Sequence, residues 1–249
     1  MKLKKADYAA IGFLALYALL VIFFPLTVQT NVSFKLDPNA FGASASRKII
    51  FGALGDGLKN FGDFTQAFPY IMGFFKVGLL ATFGEMLKNR RKNGEWKVPS
   101  LFWRFIVWGM TGVVFTAVFA LFGAGIPALM QKGLLCTADN ASFNNVLRAF
   151  FTSFFMNMIF AYPMMLAHEY FNEVINRKKF IGGGEFLSSI NAHIWGSFIP
   201  KTILYFWVPA HTITFLLPEN YRVLASALLA LVLGFLLTFH APKTPAKAE

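Results

Sequence analysis

Runs of about twenty apolar residues, repeated along the chain, constrain this sequence more than any other feature. A helix of that length crosses the ~30 Å hydrocarbon core of a bilayer. Of the 249 residues, 56% are hydrophobic and 14% are charged, against about 25% charged in an ordinary soluble domain. A water-soluble fold of this size has no way to hide that much apolar surface. Disorder, collagen and coiled coil are excluded by the same composition. Six spans would use about 120 residues. The sequence therefore predicts an all-α, polytopic transmembrane bundle of about six spans with amphipathic interfacial helices.

The first apolar run, about Tyr8–Val28, follows Met1-Lys2-Leu3-Lys4-Lys5. It is too long for a cleaved signal core, and the first Ala-x-Ala after it, Ala43 to Ala45, lies far downstream; it reads as an uncleaved span. In residues 41–68, Ile50, Leu54, Leu58, Phe61 and Phe68 share one helical stripe, with Lys48, Asp56, Lys59, Asp63 and Gln66 off it. That pattern predicts an amphipathic helix over about 45–66, lying in the interface. Further spans are expected at about 68–86, 101–130, 147–166, 201–217 and 221–240. The third carries a candidate break at Gly123-Ala124-Gly125-Ile126-Pro127. A basic hinge at 88–97 joins the second and third spans. A second amphipathic stripe (Phe186, Ile190, Ile194, Phe198) covers about 185–199. The chain thus divides into an N-terminal span and interfacial segment (1–68), a membrane bundle (69–241) and a short polar tail (242–249).

The net charge of +11 would point to nucleic acid in a soluble protein. Here Lys and Arg cluster beside apolar runs, where they read as topogenic charges facing anionic lipid. With both termini inside, inner segments hold 15 Lys and Arg and outer segments 7, with Lys76 intramembrane. That asymmetry fits an even number of spans. Cys136 is the only cysteine, so an intrachain disulfide, a cysteine-based zinc site and an iron–sulfur cluster are excluded.

No Gly-x-Ser-x-Gly, His-Glu-x-x-His or Walker-type loop is present, and His168, His193, His211 and His240 lack ligand spacing, so neither an enzyme nor a cofactor is expected. Polar groups within the spans carry more weight, because charge at mid-membrane costs several kcal/mol. Lys76 in the second span fits either a hydrated cavity or snorkelling. Glu85, near the inner end, is expected to pair with Lys88 or Arg104 at the interface. Ser153 and Asn157 lie four residues apart on one face of the fourth span, suited to interhelical hydrogen bonding or pore lining. In the fifth span Trp207-Val208-Pro209-Ala210-His211-Thr212-Ile213-Thr214-Phe215 puts Pro209, His211 and Thr214 near mid-membrane. Pro209 frees carbonyls in the preceding turn, and His211 donates and accepts hydrogen bonds and has an ordinary pKa near neutrality. The segment reads equally as a hydrated path or a packed kink.

The stretch Trp207 to Val223 resembles the Trp-Pro-x-x-Gln-x-x-Asn-Phe and Pro-x-x-Tyr-Arg signature of the Mpv-seventeen/22-kDa peroxisomal membrane protein family. Trp207, Phe215, Pro218, Tyr221 and Arg222 match by type. Pro209 stands one place late, His211 replaces Gln, Thr214 replaces Asn, and the Phe-to-Pro spacing is one residue short. Gly84-Glu85 resembles the family's early Gly-Asp, whereas its Gly-Pro and Trp-Tyr pairs have no counterpart, and residues 1–68 lie outside the likeness. The resemblance implies channel-like permeability to small solutes in a mitochondrial inner or peroxisomal membrane. The extra N-terminal span and the termini point instead to a bacterial inner membrane.

The sequence leaves a channel or transporter for small solutes or ions against a non-transporting scaffold that binds partners, with the bilayer as the certain environment and a homo-oligomer compatible with both. The polar-path candidates are Lys76, Ser153, Asn157, Trp207, Pro209, His211 and Thr214; Glu85, Arg104, Tyr221 and Arg222 are the expected interface anchors. Arg222 is expected to meet Glu219 or a lipid phosphate.

Overall fold

The computed structural model describes residues 4–37 and 40–240, so the tail 242–249 lies outside it. The chain forms two compact units, Met1–Pro69 and Tyr70–Glu249.

In the first unit, helix α1 (Lys5–Ile22) starts where the Lys4 backbone N–H donates to Asp7 Oδ2 at 2.7 Å and the Asp7 N–H donates to the Lys4 carbonyl at 2.8 Å. Pro25 follows its end, and the chain then forms an antiparallel hairpin, β1 (Leu26–Asp37) and β2 (Ala40–Phe51), registered from Leu26↔Phe51 to Asp37↔Ala40. This corrects two expectations. The first helix stops at Ile22 rather than Val28, and residues 45–51 belong to a strand. Thr27, Val28, Thr30 and Val32 are β-branched and favour extended backbone, which outweighs the 3.6-residue apolar spacing that linked Ile50 to the residues downstream.

Only the second half of the expected interfacial helix forms, as α2 (Gly57–Ala67). Gly57 packs so tightly on the end of α1 that any Cβ would overlap the Ile22 carbonyl. Phe61 is buried, with Phe24 edge-on to it at 5.4 Å, while Leu58 stays exposed. The buried Asn60 side chain donates to the Phe24 and Ala53 carbonyls at 3.1 and 3.0 Å, fastening α2 to both ends of the hairpin.

The second unit is helical: α3 (Pro69–Asn93), α4 (Leu101–Gln131), α5 (Ala141–Arg177), α6 (Gly183–Ser189), α7 (192–216) and α8 (Glu219–His240). Among the described residues, α1, α3, α4 and α5 are long and apolar enough to cross a membrane. Helix α4 runs unbroken through Gly123 to Pro127. Its 31 residues measure about 46 Å, so a membrane would accommodate it by tilt or overhang.

Glycines set the α3–α4 approach. A Cβ at Gly112 would overlap the Gly73 carbonyl and lie 2.8 Å from Val77 Cβ, while one at Gly78 would lie 2.9 Å from the Phe105 ring. Small residues at a crossing bring backbones into van der Waals contact, which is how membrane helices associate where lipid removes the hydrophobic drive.

Three wide, π-helical turns interrupt the regular winding: Asn157–Ala161, Ile194–Phe198 and Ile203–Trp207. Each ends two residues before a proline, at Pro163, Pro200 and Pro209. A proline lacks its N–H and crowds the carbonyl one turn back; widening that turn relieves the clash without ending the helix. The π turns of α5 and α7 contact each other. The expected 185–199 stripe is split accordingly. Phe186 is buried on α6, whereas Ile194 and Phe198 are exposed on α7. Trp195, Ile199 and Ile203 form the buried face instead, against Ala161, Tyr162 and Met165 of α5.

Candidate functional site

Where α5, α7 and α8 meet, a chain of buried polar groups crosses the interior of the second unit. Ser153 Oγ donates to the Val208 carbonyl at 2.7 Å. Asn157 Nδ2 donates to the Ser153 carbonyl at 2.8 Å and approaches Ser153 Oγ at 3.3 Å. The Asn157 amide also meets His211 Nδ1, at 3.1 Å from its nitrogen and 3.2 Å from its oxygen. His211 Nε2 meets Ser226 Oγ at 3.3 Å. All four side chains are buried.

The network suits a neutral imidazole in either tautomer. With hydrogen on Nδ1, His211 donates to Asn157 Oδ1 and accepts the Ser226 hydroxyl; with hydrogen on Nε2 both directions reverse. Trp207 stacks on the His211 ring at 5.2 Å and 27° between planes, and Phe119 meets it edge-on at 5.8 Å. The ring is thus held from every side in a polar seam walled by aromatics.

A cavity of about 830 Å³ leads to this seam. Toward the 88–97 hinge it is lined by Lys88, Lys92, Glu169 and Glu173, further along the helices by Phe115 and Phe160, and at the other end by Asn157, Trp207, His211 and Ser226. No residue of the 217–221 turn, at the opposite end of α7, lines it among those described. The lining of this cavity, the vestibule, thus extends from the 88–97 hinge to the histidine, and beyond the histidine Phe119 packs on Phe215 at 5.2 Å.

An ion pair organises the mouth. Arg104 Nη1 lies 2.9 Å from Glu85 Oε2, and Trp108 Nε1 donates to Glu85 Oε1 at 2.8 Å. Arg104 reaches α5 as well, donating to Asn176 Oδ1 at 2.6 Å and to the Pro99 carbonyl at 3.0 Å. Glu85 and Arg104 thus clamp α3, α4 and α5 together. Trp108 lies tilted against the His168 ring at 3.9 Å, and His168 Nδ1 pairs with Asn172 at 3.1 Å. His168 Nε2 is buried with no hydrogen-bond partner among the described residues.

The predicted residues separate clearly. Asn157, Trp207 and His211 line the vestibule, while Ser153 sits behind Asn157 and orients it. Lys76 is buried on α3 but does not line the cavity. Thr214 donates to its own helix, at the Ala210 carbonyl, 3.1 Å away. Pro209 acts through the wide turn before it and lines nothing. The His211 ring turns to side chains on α5 and α8, not to carbonyls freed by the proline; separately, the hydroxyls of Ser153 and Thr212 share the Val208 carbonyl, both at 2.7 Å.

At the opposite end, Arg222 donates to the Leu217 carbonyl at 3.0 Å with its guanidinium 5.5 Å over the Phe215 ring, rather than pairing with Glu219. The Tyr221 N–H closes the same turn on the Pro218 carbonyl at 3.0 Å. Ser226 was not foreseen, although it is an isolated polar residue in the apolar run that begins at Val223. His168, Asn172 and Asn176 were also missed, and their four-residue spacing on one helix face was the available signal. Among the described residues, no group of three His, Cys, Asp or Glu could hold a metal ion.

No family model, curated protein or solved structure matches this chain.

Proposed function

We propose that this chain is a six-span membrane protein with both termini inside, and that its vestibule is part of a path for small polar solutes or ions. Helices α7 and α8 would supply the fifth and sixth spans, and the basic hinge would face the inner compartment. One observation carries the reading: the 830 Å³ vestibule runs from charged groups at the mouth to the Asn157–His211–Ser226 seam in the helix interior. Its volume falls within the 300–1,000 Å³ common for small-molecule sites.

Polar side chains inside a bundle are costly to keep. A scaffold that only packs would be expected to fill this volume with apolar side chains. Closure beyond His211 fits a gate, so conduction would require the Phe119–Phe215 contact to open. The likeness of Trp207–Arg222 to the Mpv-seventeen signature supports the same reading, because that family is associated with small-solute permeability. We infer no catalysis at the site, and a bacterial inner membrane as the location.

Purified protein in liposomes tests the proposal with polyols of increasing size and with Na⁺, K⁺ and Cl⁻. The expected result is uptake above protein-free liposomes, with a size cut-off and a reduction in Asn157→Leu. Permeability equal to that of protein-free liposomes across the series would overturn it in favour of a scaffold.

A further inference from the structure

A second cavity, of about 950 Å³, lies between α4 and α5 and is lined almost wholly by apolar side chains. Trp103, Val107, Met110 and Val114 line it from α4, and Ala167 and Phe171 from α5. Trp103 and Met110 are more than half exposed, so this is an open groove in the outer face of the helix pair. From residue 103 to 114 the groove extends about 16 Å along α4, roughly half the ~30 Å hydrocarbon core and hence one leaflet.

Its charge is confined to one end, where Lys178 and Lys179 follow the last turn of α5. The neighbouring carboxylates are already engaged: Arg177 pairs with Glu173 at 2.9 Å and Glu185 at 2.7 Å. Among the described residues, neither Lys178 nor Lys179 has a carboxylate partner. Lys178 also adopts a left-handed conformation, φ 53°, which turns the chain away from the helix axis exactly where the two cations are displayed.

We propose that this groove is a binding site for an anionic phospholipid, with one acyl chain along Trp103–Val114 and the phosphate at Lys178 and Lys179. The apolar length of one leaflet, ending at two unneutralised cations, is complementary to such a lipid. Phe160, Met164 and His168 line both this groove and the vestibule. The bound chain would therefore lie against the thin wall that separates the vestibule from the bilayer. The proposal does not depend on transport.

The test uses the full chain in mixed micelles holding equal dioleoyl phosphatidylglycerol and dioleoyl phosphatidylcholine, with retained lipid read by native mass spectrometry. Each lysine near an anionic phosphate favours binding by about fivefold, so the expected preference for phosphatidylglycerol is roughly 25-fold. It should fall to near parity in Lys178→Gln/Lys179→Gln and persist in Lys132→Gln, at the other end of α4. Equal retention of the two lipids, or a preference that survives the double substitution, overturns the proposal. A second measurement places the lipid: brominated phosphatidylglycerol should quench Trp103 fluorescence, taken as wild type minus Trp103→Phe, more than brominated phosphatidylcholine does. Equal quenching, or a dimer that shields Trp103 from both lipids, overturns the assignment to this groove.

Discussion

Replacing Asn157 by Leu keeps the branched, four-heavy-atom outline of the side chain, at somewhat larger volume, but removes every hydrogen bond it makes. Two partners lose their bonds: the Ser153 carbonyl at 2.8 Å and His211 Nδ1 at 3.1 Å. The Ser153 carbonyl sits in a helix and has its own turn to serve, so its loss is modest. His211 is worse placed, because it is buried and its other nitrogen is already committed to Ser226. Leaving one buried polar atom unsatisfied costs about 1–3 kcal/mol, and interhelical hydrogen bonds in membranes contribute about 0.6 to 1.7 kcal/mol. Asn157→Leu should therefore destabilise the bundle by about 1–3 kcal/mol. His211→Phe, which keeps a ring for Trp207 to stack on, should cost a similar amount. The double variant should cost less than the sum by about 0.6–1.7 kcal/mol, since each single change orphans what the other removes. Equilibrium unfolding in mixed micelles, followed by helical circular dichroism, measures all four corners of the cycle. Single costs that add to within about 0.3 kcal/mol would refute the claim that the two residues form one unit.

Gly112→Ala places a methyl group on the Gly73 carbonyl and should destabilise by about 1–3 kcal/mol; Gly125→Ala on the same helix meets nothing within 4 Å and should be neutral or stabilising, both read by thermal denaturation in detergent. Asn60→Ala should cost about 1–3 kcal/mol in the first unit alone, seen as faster proteolysis near Ala53 with the Tyr70–Glu249 fragment intact. Glu85→Gln removes the ion pair of a largely buried Arg104 and should cost about 1–3 kcal/mol, while raising hydrogen exchange in the first turns of α4.

The helical, membrane-spanning character of the chain was legible because twenty-residue apolar runs have few alternative explanations. The hairpin at 26–51 was not, since Ile49-Ile50 satisfies a helical stripe and a strand equally well. Burial within α7 was misread for a related reason. Residues 194, 195, 198 and 199 are all apolar, so Ile194 and Phe198 could not be told from Trp195 and Ile199 by hydrophobicity. Asn157 and His211 stood out because polarity inside a span is conspicuous. Their pairing across 54 positions goes with the π turns of α5 and α7; Pro163, Pro200 and Pro209 mark those turns in the sequence, but a proline does not by itself tell a widened turn from a kink or a helix end. Thr214 had the same signal but satisfied itself on its own helix, as threonines in helices readily do.

On the proposed arrangement, water reaches the polar seam from the hinge end and not from the side of the 132–140 loop. Phe115 lines the vestibule about three turns beyond Arg104, or roughly 16 Å into the helix layer. In a Cys136→Ser background reconstituted in one orientation, Phe115→Cys should react with a charged, membrane-impermeant thiosulfonate added on the hinge side. It should stay unmodified when the reagent is added on the side of the 132–140 loop. Reaction from the loop side, or none from the hinge side under conditions that label Asn93→Cys, would contradict the account.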